Sequence, residues 1–219
     1  GKRLRSGEPA TVLLPHLLDL KPGLNTFVAK LSKPGSHKDG WKGDNVMRAT
    51  FTAADMLDSV LVVQFRTNAQ PEQNSFRLAN TKGHAYIDRP LGSLKPDSLY
   101  TDTLRLPPAA YVMQLSDTAG DGLTFWYNTE GGSGYLRLLD AQGRLLKRFE
   151  SDCGDGISYQ FRVGDEPTVQ VDEKPDIGLF PTLTTGATAL SYFANAPSDL
   201  TLQLLDEKAA AVWSEEMPQ

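Results

Sequence analysis

The stretch LSDTAGDGLTFW, residues 115–126, holds the densest set of groups that could do chemistry. Asp117 and Asp121 supply two carboxylates, and Gly120 and Gly122 let the backbone beside them bend inward. Oxygen atoms gathered on a curling loop are what a calcium ion takes, roughly six to eight of them. A second cluster, SDCGDG at 151–156, adds Asp152 or Asp155 if the chain folds back on itself. The pattern predicts one structural calcium ion held by Asp117, Asp121 and Asp152. It is not an EF-hand, because the periodic ligand spacing and the terminal Glu of that loop are missing. The competing reading is a plain turn in which Asp117 accepts hydrogen bonds from its own backbone.

Hydrolytic chemistry has thinner support. No H-E-x-x-H occurs, and His16, His37 and His84 lie far apart. The run Gly131-Gly132-Ser133-Gly134 approaches a nucleophile elbow, but Tyr135 takes the place of the last glycine. The elbow also needs a helix after it, and YLRLL reads as a strand. Cys153, the single cysteine, excludes an internal disulfide, and its neighbours Asp152 and Asp155 disfavour a thiolate. Carboxylate pairs for glycoside chemistry depend on separation in space, which a sequence does not contain. This chain is therefore expected to carry no catalytic residues and not to be an enzyme. Aromatic side chains are the other candidate, since Trp126, Tyr127 and Trp41 could stack on a sugar or a protein surface. A strand expected to begin near Leu123 would send Trp126 and Tyr127 to opposite sides, one into the core and one outward.

These groups need a scaffold, and almost every segment reads as strand and turn. DSVLVVQFRT (58–67) is rich in Val, Leu and Phe, as buried strands are. Three hairpins are expected around Asn80-Thr81-Lys82-Gly83, Asp140-Ala141-Gln142-Gly143 and Asp206-Glu207-Lys208-Ala209. Each opens on Asn or Asp, and the first two place Gly where a left-handed backbone is needed. Ala209 stands there in the third, at a cost of roughly 1 kcal/mol. With 14 prolines and 19 glycines spread throughout, short strands are favoured over long helices. The fold class is all-β, a sandwich. Around 52–58 one strand set gives way to another, and GDEPTVQVDEKPDIG (164–178) is polar, acidic and contains two prolines, as linkers are.

Composition narrows the partners. A net charge of −5, with no basic block beyond GKRLR at the start, argues against a nucleic-acid groove or docking on anionic lipid. No apolar run approaches the roughly eighteen residues of a spanning helix, so membrane insertion is not expected. Gly1 in place of Met suggests a piece of a longer or processed protein.

Three segments carry resemblances. VVQFRTNAQPEQNSFRLANTKG and YVMQLSDTAGDGLTFWYNTEGGSGYLRLLDAQGRLLKRFESDCGDGISYQFRV run in the order strand, D-x-x-G-D-G, aromatic, G-x-G, hairpin, F-x-x-D, strand. This resembles the accessory β-sandwich domain of secreted bacterial hydrolases, of the IgA-peptidase-like and peptide-N-glycosidase-like kind. The segment LKPGLNTFVAKLSKPGSHKDGWKGDNVMRATF resembles the end of a CARDB-type Ig-like domain. LFPTLTTGATALSYFANAPSDLTLQLLDEKAAAVW is similar, in degenerate form, to the start of a type IX secretion C-terminal sorting domain. The resemblances imply a jelly-roll-like sandwich at 53–164 with Ig-like flanking segments. An Ig-like part would occupy 1–52, a linker 165–177 and a partial sorting-domain-like β tail 178–219. They imply a non-catalytic accessory or adhesion module, secreted or on the cell surface of a Gram-negative bacterium, C-terminal to a hydrolase domain. A glycan or a cell-surface protein is the expected partner. A carbohydrate-binding module is the alternative, and a self-contained hydrolase comes third.

Overall fold

The computed structural model describes residues 11, 20, 23–31, 42–172, 174–182, 186–195 and 199–217. The chain forms two compact units, Gly1–Ala54 and Asp55–Gln219. Among the described residues every long element is a strand, and helix appears only as 3-10 turns at Lys42–Asn45, Pro71–Gln73 and Thr129–Gly131. No helix among them is long and apolar enough to cross a membrane.

In the first unit β1 (Leu24–Lys30) pairs antiparallel with β2 (Val46–Thr52), Leu24 opposite Thr52 and Lys30 opposite Val46. The ladder is closed at its ends by Ala53 N–H to Gly23 O at 3.0 Å and Leu31 N–H to Asn45 O at 2.8 Å.

The second unit is a β-sandwich. Its strands are β3 (Asp55–Leu57), β4 (Val60–Arg66), β5 (Asn74–Asn80), β6 (Ala85–Arg89), β7 (Leu99–Arg105), β8 (Ala109–Asp117), β9 (Tyr135–Leu139), β10 (Leu145–Arg148) and β11 (Gly156–Val163). One sheet has the order β10-β9-β4-β7 and the other β3-β11-β8-β5-β6. All pairs are antiparallel except β3 with β11. The core follows from period-two alternation: Leu61, Val63 and Phe65 of β4 turn inward to meet Phe76 and Leu78 of β5 and Tyr111, Met113 and Leu115 of β8. Phe65 and Phe76 join the two sheets with ring centroids 5.1 Å apart. Tyr111 stacks on Phe161 at 5.4 Å and donates its hydroxyl to Pro107 O at 2.7 Å.

The three expected hairpin turns share one bonding scheme. Asn80 Oδ1 accepts from Lys82 N–H and His84 N–H, both at 3.0 Å. Asp140 Oδ1 does the same for Gln142 at 2.9 Å and Arg144 at 2.8 Å, and Asp206 Oδ1 for Lys208 and Ala210, both at 2.9 Å. The fourth residue of each turn is left-handed, with φ of +89° at Gly83, +80° at Gly143 and +60° at Ala209. Ala209 thus adopts the strained conformation its position demands.

Beyond β11 the chain stays on the sandwich. Thr168 N–H bonds Met56 O at 2.8 Å, Val169 packs against the core, and Asp172 N–H bonds Leu145 O at 2.7 Å. Residues 165–172, expected as part of a linker, therefore run against the sandwich from the edge strand β3 to the edge strand β10. Then come two hairpins, β12 (Asp176–Phe180) with β13 (Ala189–Phe193) and β14 (Leu200–Leu205) with β15 (Ala211–Met217). Asp176 fastens the first to the four-stranded sheet, pairing Arg137 at 2.7 Å and Arg148 at 3.1 Å. The Asn195 side chain adds hydrogen bonds to Leu145 N–H and Asp172 O.

Two buried phenols set a response to alkali. Burial pushes Tyr111 well above its ordinary value, and the neighbouring Tyr86 hydroxyl adds to the effect. Burial does the same to Tyr159, reinforced by its 2.6 Å hydrogen bond to Asp55. Above pH of about 10 the unfolded chain ionises these groups while the fold keeps them protonated, so the unfolded state binds fewer protons. Stability is then lost as pH rises through the unfolded value. Urea midpoints are expected to be level at neutral pH and to fall between about pH 9 and 11. The fall should be smaller in Tyr159→Phe; an equal fall in that variant would take Tyr159 out of the account.

Candidate functional site

The connection from β8 to β9, residues 118–134, is the longest irregular segment of the sandwich. Asp117 ends β8 and is buried, with 5% exposure. Its Oδ1 accepts from Ala119 N–H at 2.8 Å and Gly120 N–H at 3.3 Å, so the expected Asx-type turn is present. Burial raises its carboxyl above the usual carboxylate range. The N–H groups of Ala119, Gly120 and Gly122 oppose the rise, and the charge of Asp121 adds to it.

Gly122 explains why the loop cannot continue as a strand. It has φ +71°, and a Cβ there would stand 2.7 Å from Cys153 N and 2.8 Å from Ser151 O. This close approach lets Leu123 and Thr124 donate to Ser151 O at 2.8 and 3.1 Å. Asp117 N–H reaches Asp155 O at 2.8 Å. The two Asp-Gly clusters are thus brought together through their backbones. Asp152 itself stands exposed on the neighbouring loop. Among the described residues no three His, Cys, Asp or Glu side chains cluster, so Asp117, Asp121 and Asp152 are not drawn together as one carboxylate set.

Asp121 is engaged on both oxygens. Gln73 Nε2 donates to Oδ1 at 2.8 Å and Asn128 Nδ2 to Oδ2 at 3.3 Å. Asn128 also donates to Gln70 Oε1 at 3.1 Å and accepts from Gly131 N–H at 3.1 Å, capping the 3-10 turn. Gln70, Gln73 and Asn128 belong to this network, and nothing in the sequence reading pointed to them. Neither did it point to Asn74, fully buried at the start of β5 opposite Asp117. Its signal was an Asn opening a strand, a residue type depleted there.

The aromatic expectation is corrected by the loop. Residues 123–128 are not a strand, so alternation does not apply, and Trp126 and Tyr127 are both exposed, at 63% and 75%. Neither fills the core. With Phe125 they form a ledge of edge-on and tilted rings whose centroids lie 5.6 to 6.4 Å apart. Trp41 lies outside the described residues.

Comparison with known proteins returns no matching family, no matching characterised protein and no matching solved structure.

Two further features bear on chemistry. Cys153 is half-buried; burial pushes its thiol up, and the charges of Asp117 and Asp152 add to the shift, the reverse of what a nucleophile needs. A cleft of about 540 Å³ runs between β9 and the β12–β13 hairpin, lined by Arg66, Tyr135, Arg137, Arg148, Asp176 and Ser191. Two of its arginines are already paired with Asp176, and the Arg137 guanidinium lies 4.0 Å from the Tyr135 ring and 5.0 Å from that of Phe193. The cleft is a joint between tail and sandwich.

Proposed function

We propose that this chain is a non-catalytic accessory or adhesion module of a secreted or cell-surface bacterial protein, and that it docks through the Phe125–Trp126–Tyr127 ledge. The observation that carries the reading is the exposure of Trp126 and Tyr127 on a loop whose base is tied down by Asp121, Gln73 and Asn128. Large rings held out into water on a fixed base offer contact area at little entropic cost, which is why Trp and Tyr dominate binding surfaces. The D-x-x-G-D-G order supports placing the module with a hydrolase domain, and the sorting-domain-like tail supports export from a Gram-negative cell. Carbohydrate is the second reading. It is favoured by the exposed polar residues beside the rings, Thr129 and Glu130, because sugars present hydrogen-bonding edges beside apolar faces.

The full chain should be tested on a glycan array and on bacterial surface fractions. Trp126→Ala with Tyr127→Ala is expected to weaken any binding about thirtyfold or more without shifting the melting temperature, since both side chains are exposed. Binding that survives the double variant removes the ledge from the proposal. Turnover of a peptide, ester or glycoside that one substitution in this chain abolishes removes the non-catalytic reading.

A further inference from the structure

Asn74 and Asp117 face each other across β5 and β8. Asp117 turns its N–H away from β5, to Asp155 on the other side. The two residues are therefore a non-hydrogen-bonded pair, in which side chains stand closest, with Cβ atoms roughly 4.5–5.5 Å apart. Both sit on the inward face, in line with Phe76 on one strand and Leu115 on the other. Asn74 is fully buried, yet neither its amide oxygen nor its amide nitrogen has a hydrogen-bond partner. Asp117 Oδ2 is buried and without one as well. A direct amide–carboxylate hydrogen bond would pair Asn74 Nδ2 with Asp117 Oδ2 but leave Asn74 Oδ1 unmatched, and it is not formed.

Leaving two such groups unmatched at adjacent buried positions is disfavoured, most of all for a carboxylate. A third body bound by both oxygens removes the penalty for Asn74 Oδ1 and Asp117 Oδ2, and leaves Asn74 Nδ2 to a water or a main-chain acceptor. We propose that Asn74 Oδ1 and Asp117 Oδ2 are ligands of one divalent cation, with calcium as the ion the donor set fits. Both donors are hard oxygens, one charged and one neutral. Calcium accepts carboxylate, amide and main-chain oxygens together with water in a flexible shell, so a three-carboxylate cluster is not required. The ligand partner of Asp117 is thus the cross-strand Asn74, in place of Asp152. Asp121, with its oxygens held by Gln73 and Asn128, stays outside the inner set. The ion would sit at the root of the 118–134 loop, joining the end of β8 to the start of β5.

The test uses the full chain, stripped with chelator and titrated separately with calcium, magnesium and zinc chloride by calorimetry and thermal melting. Calcium is expected to bind saturably, about one ion per chain. At a concentration about a hundredfold above its dissociation constant it should raise the melting temperature by roughly 5–10 °C. Asp117→Asn, which keeps an oxygen for the Ala119 and Gly120 bonds, should abolish the response. Asn74→Asp should lower the melting temperature of the stripped protein and tighten calcium binding. If Asp117→Asn does not fold, the widened gap between stripped and calcium-loaded Asn74→Asp decides. No saturable heat and no melting shift with any of the three metals would overturn the proposal and leave a bridging water between Asn74 and Asp117. A response to zinc alone, or a calcium response untouched by both variants, would overturn it equally.

Discussion

Gly156→Ala is expected to abolish the native sandwich at room temperature or to destabilise it by at least about 4 kcal/mol, which is exceptional for one methyl group. Gly156 opens β11 with φ +136°, where L residues are strained, and a Cβ there would lie 2.0 Å from Leu115 O and 2.9 Å from Leu115 C. The obstacle is the backbone of β8, which cannot rotate aside as a side chain would. β8 and β11 are both interior strands of the five-stranded sheet, so parting them breaks ladders on either side. A typical domain has only about 5–15 kcal/mol in total. Gly143→Ala is the control: its φ is +80° but its Cβ would meet nothing within 4 Å, so only the conformational cost of roughly 1 kcal/mol applies. Urea unfolding of both variants measures the difference, and a Gly156→Ala midpoint close to that of Gly143→Ala would show that the two strands can part cheaply.

Phe76→Ala should cost about 3–5 kcal/mol. Its ring has no solvent exposure and meets the facing sheet at Phe65, 5.1 Å away, which in turn stacks on Tyr100 at 6.2 Å. Removing it opens a cavity between two pleated faces that cannot collapse far, because each is held by its own ladder. Leu204→Ala in β14 gives the contrast: with 61% exposure it buries little and should move the midpoint by no more than about 0.5 kcal/mol. Denaturant titration of the pair reads the comparison directly, and similar midpoints would mean that the sheet–sheet interface is not where the stability lies.

What the sequence disclosed divides along the line between local and non-local physics. The turns at Asn80, Asp140 and Asp206 were legible because one side-chain oxygen binds N–H groups two and four residues on, within reach of a short reading window. The strand at 60–66 was legible because Val, Leu and Phe in alternation suit a buried pleat. LTFWY has the same composition, and there the reading failed. Gly122 is pinned against Ser151 and Cys153, a constraint from a distant loop that overrides local β preference. Asp117 was legible as a special residue, and its turn formed as one of the two readings had it. Its cross-strand neighbour Asn74 was not, because register is set by the pairing of β5 with β8 and leaves no mark at either position. The order of strands within each sheet was hidden for the same reason.

The one parallel pairing gives the sandwich a mechanical direction. β3 enters beside Phe161 and runs alongside β11 to Val163, so the first and last strands lie side by side and point the same way. Tension that arrives before Asp55 and leaves after Val163 pulls these two strands past each other lengthwise. Their hydrogen bonds lie across the force and must rupture together; they cannot open one at a time as in a hairpin pulled from its open end. Met56 is gripped from the other side as well, its N–H by Thr168 Oγ1 at 2.9 Å and its carbonyl by Thr168 N–H at 2.8 Å. A chain strung between an anchor and a load would therefore bear it in shear at the β3 edge, where yielding is slow, before any strand of the interior is disturbed.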